Sequence, residues 1–172
     1  MTSPPRERPP YTADERTQLI GWLDMQRAII HWKAAGLSEE DAHRSLLPTS
    51  PLMTVAGLVA HLTWVEHLWF EHVFLSRPPR GPRAAAAAPA SAEMRVAGVP
   101  LAELVAAYEQ QCAISNEIIE AHALDDTGRA PHLKAKDASL RWMLFHLIEE
   151  TARHAGHLDT IRELLDGEKG YY

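Results

Sequence analysis

Four stretches of the chain place apolar residues three and four apart, the period of an α-helix with one buried face. In "DERTQLIGWLDMQRAIIHWK", Leu19, Trp22, Leu23, Gln26, Ile29, Ile30 and Lys33 share that spacing, and most of them are apolar. Thr12 stands where it can cap this helix, with Glu15 three residues on to complete a capping box. Val55, Leu58, Val59, Leu62, Val65, Trp69 and Val73 mark a second helix, from about Thr54 to Leu75. Leu104, Val105, Tyr108, Ile114, Ile118 and Ile119 mark a third, from about Leu101 to His122. A fourth opens at Ser139 or Asp137 and is closed by Gly167. The predicted spans are 13–35, 54–76, 100–122 and 138–166.

The links read differently. Gly36 stops the first helix, Ser38 caps a short turn over Glu39 to His43, and Pro48 and Pro51 mark an irregular connection. "SRPPRGPRAAAAAPASAEMRVAGV", residues 76–99, reads as a flexible crossover with a brief Ala-rich helical piece. "ALDDTGRAPHLKAKDA" reads as a loop. No run alternates with period two, so no strand competes with this reading. The expected fold is all-α, a four-helix bundle about 30 Å tall with a long crossover connection. A single domain, 12–167, is expected between a disordered tail at 1–11 and a C-terminal tail at 168–172.

Composition narrows the classes. At 172 residues and 46% hydrophobic, the chain can bury one proper core. A formal charge of −6 argues against nucleic acid as the main partner. Cys112 is the only cysteine, which excludes a disulfide framework and a cysteine-based metal site. It reads as a small packing residue, and the lack of disulfides fits a reducing cytoplasm. "MTSPPRERPP" has no apolar signal core and no run is long enough to span a membrane, so the expectation is a cytoplasmic protein with no membrane partner. Trp32, Trp69 and Phe70 exceed what one four-helix core needs, which points to a homodimer.

The fourth helix carries the chemistry. Met143, Leu147, Glu150, His154 and either Leu158 or Ile161 fall on one stripe. Glu150 and His154, four apart, meet on one face. A buried carboxylate is costly unless it is paired or binds a cation. His61, between Leu58 and Val65 on the second helix, reaches the same core if helices two and four pack antiparallel. Two imidazoles and a carboxylate bind a divalent transition metal and leave coordination positions open. The same trio also serves non-heme iron oxygenases. Taken alone, E-xxx-H is also ordinary on a solvated face, and His146, four before Glu150, offers an overlapping pair. His157 and His67 read as neighbours of the site or as surface groups. Trp64 can line a pocket mouth, and Arg153 or Arg141 can meet an anionic ligand. Trp22, Trp69 and Trp142 read as core packing. Glu66, five residues beyond His61, is the nearest candidate proton carrier, against the plainer reading of a salt bridge with Arg153.

"GLVAHLTWVEHLWFEHVF" and "SLRWMLFHLIEETARHAGHLDTIRELLDG" resemble the DinB-like superfamily of metal-binding four-helix bundles. More narrowly they resemble its actinobacterial, mini-circle or mycothiol-transferase-like branch, and "GWLDMQRAIIHWKAAGLSEED" is similar to that branch as well. The resemblance covers about Thr12 to Gly167, apart from the crossover. That superfamily places a histidine in helix two and an H-xxx-H or E-xxx-H pair in helix four, just before a G-Q or G-H step. "HAGH" then makes His154 the last ligand, Glu150 the one before it and His61 the helix-two ligand. The resemblance implies a divalent metal, zinc first, with nickel, iron or manganese as alternatives. It implies a low-molecular-weight thiol such as mycothiol as co-substrate, attacking a small electrophile, and it speaks against oxygenase chemistry. Outside it stand a hydrolase using metal-bound water and a non-catalytic metal-binding stress protein.

Overall fold

The computed structural model describes residues 5–85, 87–130, 135 and 137–170. Parts of the expected tails (1–4 and 171–172), of the crossover (86) and of the last loop (131–134 and 136) lie outside them. Helix α1 spans Glu15–Ala34, a single turn α2 Glu39–Ala42, α3 Val55–Glu66, α4 Leu101–Ala121 and α5 Leu140–Asp166. Without a break, α3 widens into a π-helix over His67–Phe74. Among the described residues there is no strand, only one isolated bridge between Thr127 and Ser139.

The helix ends follow from local chemistry. Ser38, Thr54 and Ser139 each accept a hydrogen bond from the backbone N–H three residues on, which satisfies a donor the helix leaves unpaired. Gly167 ends α5 at φ 79°, a conformation other residues adopt only under strain. Thr12 does not cap α1. Ala13 N–H closes a turn onto Pro10, and Asp14 takes the cap by accepting from Thr17 N–H at 3.0 Å. The segment before that turn lies on α1, with Pro9 over Gly21 and the Arg6 guanidinium 3.8 Å above the Trp32 ring.

Interhelical pairs define the topology. Arg141 holds Glu15 at 2.8 Å near one end and Lys33 meets Asp159 at 3.2 Å near the other, so α1 and α5 run parallel. Arg16 donates to the carbonyls of Ile119 and His122 while His31 reaches Glu109, so α4 runs against α1. His61 faces Glu150 and Trp69 packs on Trp142, so α3 runs against α5. Helices α3 and α4 are therefore parallel, and the chain must return the length of α3 before α4 begins. With its π-helical end that is about 20 residues of helix, or about 30 Å. The crossover makes this return along α3. Arg80 N–H donates to His67 Nε2 at 3.0 Å, and further on Met94 lays its carbonyl against Gly57. Instead of an Ala-rich helix, the described residues form two short 3-10 turns, Gly81–Arg83 and Ala92–Met94.

The core divides in two. Ile29, Ile30, Leu58, Leu62, Leu104 and Leu158 belong to one cluster; Leu23, Phe70, Phe74, Ile119, Leu144 and Leu147 belong to the other. Between them each long helix offers polar groups at the same level: Arg27 on α1, His61 and Glu66 on α3, Gln111 and Ser115 on α4, and Glu150, Thr151 and His154 on α5. Glu66 is 1% exposed and accepts two hydrogen bonds from Arg27, at 2.7 and 2.8 Å. Arg27 also reaches Asn116 at 2.7 Å and Asp24 at 3.0 Å. The candidate site thus lies in a polar waist.

One reading of the aromatic residues is corrected here. Phe70 is fully buried, and Trp32 and Trp69 are partly buried against the two clusters, so these three rings pack on the chain's own core. Trp142, expected in the core, is half exposed. Among the described residues, no helix is long and apolar enough to cross a membrane.

Candidate metal centre

Antiparallel packing of α3 on α5 brings His61 over the turn that carries Glu150 and His154. Glu150 Oε1 stands 3.3 Å from His61 Nε2 and 3.3 Å from His154 Nε2. One ligand atom from each of the three lies within 4.8 Å of the others. The side chains are 17, 16 and 14% exposed, so the group is shielded yet reachable. On α5 the fully buried line runs through Leu147, Thr151, Ala155 and Leu158. Glu150 and His154 flank that line and do not lie on its centre.

The donor chemistry suits a cation. His61 Nδ1 lies 2.9 Å from Glu93 Oε1. A carboxylate oxygen only accepts, so Nδ1 carries a proton and donates it. In the neutral ring Nε2 then presents a lone pair to the lone pairs of Glu150, an arrangement that a cation between them relieves. Burial and the nearby His61 push His154 below its ordinary value of 6.5, which favours the neutral ring that ligates metals. Burial alone would raise Glu150, but the two imidazoles outweigh it: His61, when protonated, donates to the carboxylate, and the charge of either ring in its protonated form holds the carboxyl below its ordinary range.

The other candidates are placed as follows. His146 packs between Trp69 and Trp142, its ring stacked on the Trp142 ring at 5.2 Å, with Glu149 3.7 Å from its Nδ1. His157 Nδ1 lies 3.2 Å from His154 Nδ1, on the side of that ring away from Glu150. His67 engages Glu71 at 3.0 Å, and that carboxyl is held down to about 2: burial would raise it, but hydrogen bonds from His67, Arg77 and Gln111 prevail. Glu66 is no free proton carrier, because both of its oxygens are committed to Arg27. The expected Glu66–Arg153 pair does not form; Arg153 pairs with Glu149 on the solvated face of α5. Arg141 is likewise engaged, by Glu15 and Asp125.

Trp64 has its ring 6.0 Å from that of His61 and lies under the Arg83 guanidinium, 4.5 Å away. It lines a cavity of about 360 Å³ beneath the crossover, walled also by His67, Arg80, Glu93, Gln111 and Ile114. That volume is in the range of small-molecule sites. The three clustered side chains do not line it; it adjoins them through Trp64 and Glu93. The residue that sequence reasoning missed is Glu93. It belongs to no periodic segment, and its only signal is an acid between Ala92 and Met94 in the crossover.

The chain's own thiol is not part of this chemistry. Burial pushes Cys112 up to about 12. Thiolate is the reactive form, so native protein at pH 7 should resist iodoacetamide under conditions that label it fully after denaturation. Mass spectrometry reads the adduct, and rapid labelling of the native chain would refute this assignment.

A family model described as Mycothiol-S-transferase matches residues 18–167. No curated protein matches the chain.

Proposed function

Because the chain belongs to the mycothiol-S-transferase family, we propose that it joins the sulfur of mycothiol to a small electrophile, using a divalent ion, zinc first, held by His61, Glu150 and His154. The observation that carries the metal in this reading is Glu150 Oε1 at 3.3 Å from both imidazole Nε2 atoms. When bound in such a set, a divalent ion lowers the pKa of a thiol, so that thiolate is available at neutral pH.

The chain's own residues supply the rest. Glu150 stays ionised and offsets part of the cation's charge, while His61 and His154 offer neutral nitrogens. Trp64 forms a wall between the metal centre and the cavity beneath the crossover, where the apolar Ile114 and the polar Gln111 stand on the opposite side. Cys112 does not compete as a nucleophile, so the reacting sulfur comes from outside. In the transfer an S–C bond forms and the thiol proton is released. The electrophile either takes up the electron pair or expels its leaving group with it.

The test uses purified protein reconstituted with zinc, mycothiol and an activated aryl halide. Thioether, read by mass spectrometry, is expected only with both reactants present. It should vanish after treatment with a chelator and return with added zinc. Equal consumption of the halide without thiol would reject the reading and favour metal-dependent hydrolysis.

A further inference from the structure

We infer that Glu93 is a positioning residue for the metal centre, and that through it the crossover between α3 and α4 is part of that centre. The inference rests on the proposed triad and extends it to a residue that is not itself a ligand of the ion.

Three observations converge. Glu93 is 4% exposed, in a chain segment that otherwise meets solvent on one side, and a buried carboxylate needs a specific partner. Its partner is His61: Oε1 accepts from Nδ1–H at 2.9 Å, which fixes the ring's tautomer and aims Nε2 at Glu150. Its other oxygen faces Arg83 at 3.5 Å, and that guanidinium lies over Trp64. A single carboxylate thus ties one ligand, one wall of the cavity and the crossover together.

The backbone explains how Glu93 arrives there. The Ala92–Met94 turn follows Ser91, which adopts φ 57°, and Ala92 is itself buried. The turn seats on α3 at Gly57. A Cβ there would stand 3.4 Å from the Met94 carbonyl, in van der Waals contact, and 2.3 Å from the Leu52 carbonyl, so the close approach of Leu52 is what demands glycine and the crossover turn packs on the same spot. Gly57 and His61 are four apart and lie on one face of α3. A crossover docked at the first therefore delivers Glu93 to the second.

The test is a cobalt(II) titration of wild type, Glu93→Ala and Glu93→Gln in the full chain, with a competing chelator to give the dissociation constants. Circular dichroism checks that each variant is folded. Glu93→Ala should weaken binding about 10- to 100-fold, the range for losing a group that orients a ligand. Glu93→Gln should recover most of this, because its amide oxygen can still accept from Nδ1–H. Bound metal should also slow tryptic cleavage in the crossover in wild type and not in Glu93→Ala, since coupling between sites is reciprocal. Wild type that takes up no cobalt overturns the triad and this inference with it. Wild type that binds, with Glu93→Ala binding equally well or Glu93→Gln losing as much as Glu93→Ala, overturns the role of Glu93 alone.

Discussion

Replacing His61 or His154 with alanine is expected to abolish metal binding and, with it, thiol transfer. Losing a group that merely orients a ligand weakens metal binding about 10- to 100-fold, so losing a ligand outright should exceed about 100-fold. Helicity should survive. Both side chains sit in the polar waist at 17 and 14% exposure, and the two apolar clusters on either side do not depend on them. Metal content of the purified variants, beside their circular dichroism, measures this directly. His146→Ala is the control, because that ring packs with Trp69 and Trp142. Should His146→Ala lose the metal while Glu150→Gln keeps it, the ligand set is displaced by one turn of α5.

The largest loss of stability is expected from Arg27→Ala. Glu66 would stay buried with neither of its charge-assisted hydrogen bonds, and breaking such a pair from one side costs about 3–5 kcal/mol. For a domain of this size each kcal/mol corresponds to roughly 2–4 °C, so the melting temperature should fall by about 10 °C. Removing both charges, as Arg27→Met with Glu66→Leu, should cost less than Arg27→Ala alone, because the penalty comes chiefly from the orphaned carboxylate. Thermal and urea unfolding of the single and double variants decide it. A drop below 1 kcal/mol in Arg27→Ala would mean that water or Asn116 reaches Glu66.

Periodicity made the helices legible, because burial of one face is written every three or four residues. Caps were legible at Ser38 and at Ser139, where a serine precedes that pattern, whereas Thr54, read only as the start of its helix, turns out to cap it. At α1 the capping box points to Thr12, but a turn at Pro10–Ala13 leaves Asp14 as the cap. The π-helical stretch His67–Phe74 was not legible, since its residues suit an α-helix equally well. The spacing of Glu150 and His154 could be read from one helix, and the helix-two position of His61 from another. Which arginine would neutralise Glu66 could not be read so: Arg27 and Arg153 both lie on suitable helices, and only the packing of α1 on α3 selects Arg27. Glu93 lay deeper still. Its contact with His61 spans 32 residues and depends on where an irregular segment docks, which no local period encodes.

The seat of the crossover on Gly57 also divides that connection into parts with different tolerance to engineering. From Ser91 onward, a change of length would shift the turn off its glycine. Upstream, the described residues among Ala84 to Ala90 are mostly exposed and pack into neither core cluster. Lengthening a flexible loop is cheap, about 0.6 kcal/mol for each doubling. A reporter peptide or a small inserted domain therefore belongs in the alanine run, where it would report on the crossover while leaving the turn that follows free to dock.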